Sequence, residues 1–427
     1  MTVSPDENSR HWCRQSLGNS ALWPGAGCVP ICEGITPASH RPGAVDSRGR
    51  EFIAGTGDFE GVMGKFISLR MLIMAALALA GCGESSGPSG VSGGGVTPGN
   101  GTPGQTFLYV ANEEAGTVAA FSVAADGTLT PTPNSIAPTQ GLGLATNGRD
   151  RVYSSGDFEI EGFTINNDGS LTRTGNWTRT DPGGRVAPGL LTMAPAGAHL
   201  YAQIFGPTEG IQTYTVNRDG SLTATTQYTN MGIGKPEFTA DGQTAYLPVS
   251  FRLSSSIAWL AGDVSTGALT QIGGFGYPNA VGLGRVAISP AGNFVAHALV
   301  NGGLAIFSVD QNTRALSPVS GSPFNFGGTF GGVAWSLNEQ FLLVASNLGV
   351  RVFRIGGAGN PNEISGQPGP VGMTNVLTTG TNIVFATSAG SGTVSSYRLD
   401  PNTGRLVRVT NAQPSGAGAG EMALVAR

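Results

Sequence analysis

The chain has 427 residues, of which only 12% are charged, with 68 glycines and 26 prolines. Disordered chains are polar and highly charged, so this composition argues instead for many short strands joined by tight turns. A formal net charge of −4 with no block of like charges leaves no electrostatic footprint for nucleic acid, and no nucleic-acid partner is expected.

Residues 1–62 show no hydrophobic period, yet hold three of the four cysteines (Cys13, Cys28 and Cys32) and two of the four histidines. Cys28 and Cys32 have a spacing that zinc sites can use, but no second ligand pair accompanies them. The segment reads as a spurious, disordered extension ahead of a true start at Met63. Residues 63–81 then form a signal peptide. Lys65 and Arg70 make a short basic region, and Met71 to Ala80 an apolar run too short to span a bilayer. The run ends in Leu79-Ala80-Gly81-Cys82, which resembles the bacterial lipobox, where cleavage before the cysteine leaves its thiol carrying a lipid. That resemblance implies a membrane-anchored envelope protein with Cys82 as the lipidated residue. Gly83 in place of Asp implies the outer membrane over the inner one. Residues 82–105 continue as a Gly/Ser/Pro-rich tether with almost nothing apolar. No cysteine follows Cys82, so the remaining body can hold no disulfide, Cys-ligated zinc or c-type haem. No cofactor or metal is expected, and a redox role is disfavoured.

Residues 106–427 repeat. Each copy has an apolar strand, a loop, a second strand, a turn and a strand opening Leu-Thr or similar, as in FLYVANEEAGTVAAFSVAADGTLT from Phe107. The large residues Phe121, Phe163, Tyr214, Leu260, Phe307, Phe353 and Tyr397 mark seven copies spaced 42 to 51 residues apart. That period with three or four strands per copy predicts an all-β, seven-bladed β-propeller of four-stranded blades. Asp126-Gly127, Asp168-Gly169 and Asp219-Gly220 read as two-residue hairpin turns. Short strands such as those in EFTADGQTAYL and VAISPAGNFVA precede most copies and read as the inner strands lining a central channel. The first copy lacks one, and Gly420 to Val425 is the spare expected to close the ring as the inner strand of blade 1.

Tyr109-Val110-Ala111-Asn112, Gly116-Thr117-Val118 and Phe121-Ser122-Val123 resemble the YVTN-type repeat. Leu316-Ser317-Pro318 running into Gly321-Ser322-Pro323-Phe324 is similar to the blade end of the lactonase-like propellers. That family includes 6-phosphogluconolactonases, and the resemblance implies a Pro-Arg-His before an inner strand and an Asn-Glu after the next. The sequence departs from this pattern. Gly284-Arg285-Val286 keeps the arginine alone, His297 stands near the Asn-Glu position, and Asn112-Glu113 lies in blade 1.

The candidate catalytic residues are therefore Glu113, Arg285 and His297. Arg185, Lys235 and Arg285 each precede an inner strand in consecutive blades, and could ring one end of the channel around an anionic ligand or serve as ordinary rim charges. Asp157, Glu159 and Glu161 alternate along one extended segment, as a carboxylate pair for a cation or sugar or as a solvated loop. With the lactonase set incomplete, the sequence favours a monomeric, non-catalytic binding propeller at the cell envelope, with an unknown small-molecule or protein ligand at its channel. The alternative is a lactone hydrolase with an altered site. A Glu or His within hydrogen-bond reach of one of the channel cations is the feature that turns the balance towards the enzyme.

Overall fold

A computed structural model describes residues 104–427, apart from 140–141, 157, 179, 182–183, 186, 206–208, 230–233, 252–253, 278–283, 365–368 and 370. Residues 1–62 expected to be a spurious extension, the 63–81 segment expected to be a signal peptide, Cys82, most of the tether and Asp157 lie outside the described residues.

The body is a ring of seven antiparallel sheets, the expected seven-bladed propeller. Each blade runs from an inner strand at the channel to an outer strand at the rim. Blade 4, for example, comprises Glu237–Phe238, Thr244–Phe251, Ser254–Gly262 and Leu269–Tyr277. Blade 5 comprises Arg285–Ile288, Phe294–Leu299 and Gly303–Val309, with an outer edge split into Leu316–Pro318 and Phe324–Asn325. The outer edge of blade 7 is split likewise, into Leu406–Arg408 and Gln413–Pro414.

The C-terminal strand Ala419–Ala426 pairs antiparallel with Thr106–Asn112 and completes blade 1. Strand alternation explains the packing. The second strand of every blade is buried on both faces, as in the fully buried Phe341–Ser346, because each face meets a neighbouring blade. Apolar clusters accordingly span blade boundaries, one joining Phe107 and Tyr109 of blade 1 to Val152 and Phe163 of blade 2.

The Asp-Gly turns differ from expectation. Asn166 N–H donates to Ser170 O while Gly169 N–H donates to Asn166 O. Gly169 alone takes positive φ, at 83°. This is a type I turn closed by a glycine bulge, a three-residue loop, whereas a two-residue type I′ turn needs positive φ at both central residues. Asp168 stabilises it by accepting from the Ser170 N–H and hydroxyl.

These turns also lock blade to blade. Tyr109 Oη donates to the Gly169 carbonyl of the next blade at 3.0 Å. Tyr153 reaches Gly220 at 3.0 Å, Tyr201 reaches Gly267 at 3.0 Å and Tyr246 reaches Arg314 at 3.1 Å. The tyrosine position becomes Ala296, Leu343 and Phe385 in the last three blades. At the ring seam, Ser396 Oγ of blade 7 reaches the Gly127 carbonyl of blade 1 at 2.6 Å.

Candidate functional site

Strand register places the charged residues at common depths. Opposite Tyr246 on the inner strand of blade 4 stands Glu237; opposite the matching residues Tyr109 and Ala296 stand Ala423 of blade 1 and Ala287 of blade 5. Two residues earlier on these strands lie Lys235, Glu421 and Arg285. Lys235 lies just ahead of its strand, and its contact and that of Arg285 with Glu421 bring the three to one level, with Glu237 two residues further along from Lys235. The same level carries Asn375 in blade 7 and the side-chain-free Gly143 and Gly332 in blades 2 and 6.

The charges meet across the channel. Arg285 Nη2 lies 2.5 Å from Glu421 Oε1, joining blades 5 and 1, which are not neighbours. Lys235 Nζ of blade 4 lies 3.7 Å from Glu421 Oε2. All three are buried: Glu421 is 2%, Arg285 5% and Lys235 9% exposed. Glu421 Oε2 makes no hydrogen bond, and Asn375 Nδ2 has no partner while its Oδ1 accepts from the Val376 N–H. Lys235 and Arg285 each follow a glycine whose Cβ would run into the carbonyl of the adjoining strand, Pro248 O for Gly234 and Ala298 O for Gly284. Glycine lets the inner strand approach closely enough to carry the cation into the channel.

Burial sets the proton affinities. Glu237, half-buried, sits in a layer otherwise made of Ala423, Ala145, Thr192, Ala287, Ala334 and Leu377. Desolvation pushes its carboxyl up to about 7, although Lys235 and Arg285 pull it down. Burial, reinforced by Arg285, drives the Lys235 ammonium well below its usual range. Burial likewise pushes Glu421 up, while the guanidinium in contact favours its ionised form. The cluster thus combines two nitrogen donors, a carboxyl anchored on the guanidinium and a second carboxyl that exchanges its proton at about pH 7.

The other expected residues lie apart from this cluster. His297, on the second strand of blade 5, is 1% exposed and hydrogen-bonded to Tyr277 of blade 4 through Nδ1 at 3.0 Å. Burial drops its imidazole to about 3, so it is uncharged at neutral pH. Glu113 occupies the exposed turn between the second and third strands of blade 1, and its N–H donates to Gly418 O. Glu159 accepts from Asn176 Nδ2 at 2.7 Å, and Glu161 pairs with Arg173 at 2.6 Å. Arg185 falls in the two-residue strand Gly184–Arg185, which pairs with Thr180–Asp181 ahead of the inner strand of blade 3; its side chain lies outside what is described. Among the described residues, no group of three or more His, Cys, Asp or Glu could hold a metal ion.

Glu237, Glu421 and Asn375 are the residues that sequence reasoning passed over. A signal was present for Glu421. Gly420-Glu421 repeats the glycine-then-charge pairing of Gly234-Lys235 and Gly284-Arg285.

No protein-family model matches the sequence, and no curated protein does. Among solved structures, the chain is similar to a putative 6-phosphogluconolactonase from Bacteroides uniformis, with TM-score 0.63 and 15% identity over 76% of this chain and 100% of that one. A putative 6-phosphogluconolactonase from Bacteroides fragilis gives TM-score 0.62 and 15% identity over 77% and 100%. The periplasmic gluconolactonase PpgL of Pseudomonas aeruginosa gives 0.59 and 15% over 75% and 99%. At such identities the likeness establishes the propeller fold alone.

Proposed function

We propose that the chain hydrolyses lactones at the charged level of its channel. The observation that carries this reading is Glu421 in contact with Arg285 and facing Lys235 across the channel, with Glu237 one step deeper. The Glu237 carboxylate takes a proton from water as the water oxygen bonds to the lactone carbonyl carbon. Lys235 and Arg285 donate hydrogen bonds to the oxygen that gains the negative charge. Glu421 holds the guanidinium in place. Collapse of the intermediate breaks the ring C–O bond, and the proton on Glu237 passes to the departing oxygen. The product is the open hydroxy acid. The solved gluconolactonase of the same shape supports this choice of chemistry.

The test is hydrolysis of a panel of sugar lactones and homoserine lactones by the full chain beside Glu237→Gln, which keeps shape and removes the base. Loss of a proton-transfer group of this kind costs roughly 10²–10⁴-fold in turnover. Absence of turnover by the unaltered chain overturns the hydrolase. A second reading, a non-catalytic propeller that binds a partner or small ligand, is favoured by one observation: Arg285 and Glu421 are buried and already paired.

For the cell, we propose export and anchoring to the envelope through a lipid on Cys82. Metabolic labelling with a fatty acid checks this: the label is expected on the chain and absent from Cys82→Ser.

A further inference from the structure

We infer that Thr387 is a positioning residue of the channel: its hydroxyl pins the Gly420 carbonyl at a β-bulge and so aims Glu421 at Arg285. Its link to turnover rests on the hydrolase reading; its hold on Glu421 does not.

In the C-terminal strand, Met422 pairs with Val110 and Ala419 with Asn112, so Gly420 and Glu421 together stand opposite Ala111 alone. Two residues against one make a β-bulge, which bends the strand and re-aims the side chain it carries. The bulge is gripped from both sides. On the blade 1 side, Glu113 N–H donates to Gly418 O at 3.1 Å and Ala115 N–H to Ala417 O at 3.0 Å. On the blade 7 side, Thr387 Oγ1 donates to Gly420 O at 2.8 Å and Thr374 Oγ1 to Ala419 O at 2.8 Å. A carbonyl can only accept, so the direction of both bonds is fixed. The two hydroxyl oxygens lie 3.1 Å apart, and both threonines are buried. The Gly420 carbonyl belongs to the planar peptide that leads into Glu421, so holding that oxygen holds the direction in which the Glu421 side chain leaves the strand. That side chain meets Arg285 on a blade that is not its neighbour, at the far end of both side chains, where a small turn of the peptide is magnified. The same staple recurs between blades 2 and 3. Ser155 Oγ donates to the Gly189 carbonyl, and Gly189 and Leu190 stand opposite Gln203 alone. That bulge carries Leu190 where blade 1 carries Glu421, which makes Ser155 the matched uncharged control.

The experiment uses the full chain labelled with ¹⁵N-arginine, the Arg285 guanidinium being identified by the signal lost in Arg285→Lys. Thr387→Val removes the hydroxyl and keeps the shape, Thr387→Ser keeps the hydroxyl, and Glu421→Gln gives the signal of a guanidinium without its carboxylate. The Arg285 signal is expected to move towards the Glu421→Gln position in Thr387→Val, and to stay in place in Thr387→Ser and Ser155→Ala. On gluconolactone, kcat should fall by up to roughly 10²-fold in Thr387→Val and recover in Thr387→Ser, since a misplacement of about 1 Å in a site can cost that much. Thr387→Ala, which lets water reach the carbonyl, serves the same purpose where Thr387→Val does not fold. An Arg285 signal unmoved in the folded variant without the hydroxyl, or moved equally in Thr387→Ser or Ser155→Ala, overturns the positioning role. A signal that moves as expected in a chain without lactone turnover retains the positioning role and overturns the hydrolase.

Discussion

At the scale of single residues, the channel is governed by one carboxyl. Glu237 titrates at about 7 against 4.5 for an ordinary glutamate, because burial disfavours its charge more than Lys235 and Arg285 favour it. Between those two values the folded chain keeps a proton that the unfolded chain releases. Its contribution to stability is therefore full below about pH 4.5 and is lost as pH rises through about 7. Turnover should move oppositely, since a base must be ionised to act. Thermal midpoints measured from pH 5 to pH 8 should fall in the unaltered chain and fall less in Glu237→Gln. Turnover should climb through about pH 7 over the same range. A stability slope unchanged by Glu237→Gln would remove this carboxyl from the account. Lys235 and Arg285 were legible in the sequence because each is a cation just before an inner strand, in consecutive blades. Glu237 was not, because what makes it unusual is a layer of uncharged residues from six other strands, a neighbourhood no local window contains.

At the scale of elements, the blades were read correctly from their period, and their turns only in part. Asp-Gly announced a turn, but the loop length was set by the bulge, and the reason for its glycine lies in the neighbouring blade. A Cβ on Gly169 would collide with Phe107, and the Gly169 carbonyl is the acceptor for Tyr109. The recurrent third-position tyrosine was visible in the sequence as an apolar residue, while its hydroxyl partner, 60 to 68 residues away, was not. These contacts stabilise the ring one seam at a time. Tyr153→Phe leaves the ring packing and removes the donor to Gly220 O, at a cost of about 1 kcal/mol. Tyr109→Phe and Tyr246→Phe act on other seams, so their losses should add to within roughly 0.5 kcal/mol. Denaturant titration of the single and triple variants checks this. A triple variant as stable as the unaltered chain would mean that the hydroxyls contribute nothing net.

At the scale of the whole molecule, closure and chemistry rest on the same strand. Ala419–Ala426 pairs with Thr106–Asn112, and beyond it Gly104 N–H donates to Arg427 O while Arg427 N–H donates to Gln105 O. The spare C-terminal strand was recognisable in the sequence from the missing inner strand of blade 1. Its second role was not, since Glu421 meets Arg285 only once the ring is closed. Removing residues 420–427 strips out Met422 and Val425, both buried, which together contribute roughly 3–6 kcal/mol by burial alone. It also leaves the blade 1 edge unpaired and Arg285 without its carboxylate. Against a total stability on the order of 5–15 kcal/mol, that is a large share. The truncated chain is expected to unfold at a much lower temperature and to expose new proteolytic sites in blade 1. Glu421→Gln separates the two roles, because it keeps the strand and removes only the charge. It should close the ring, as judged by an intact protease-resistant core, and yet lose lactone turnover. A truncated chain that unfolds at the original temperature would mean that blade 1 closes without this strand, and that the ring is held by its other six seams.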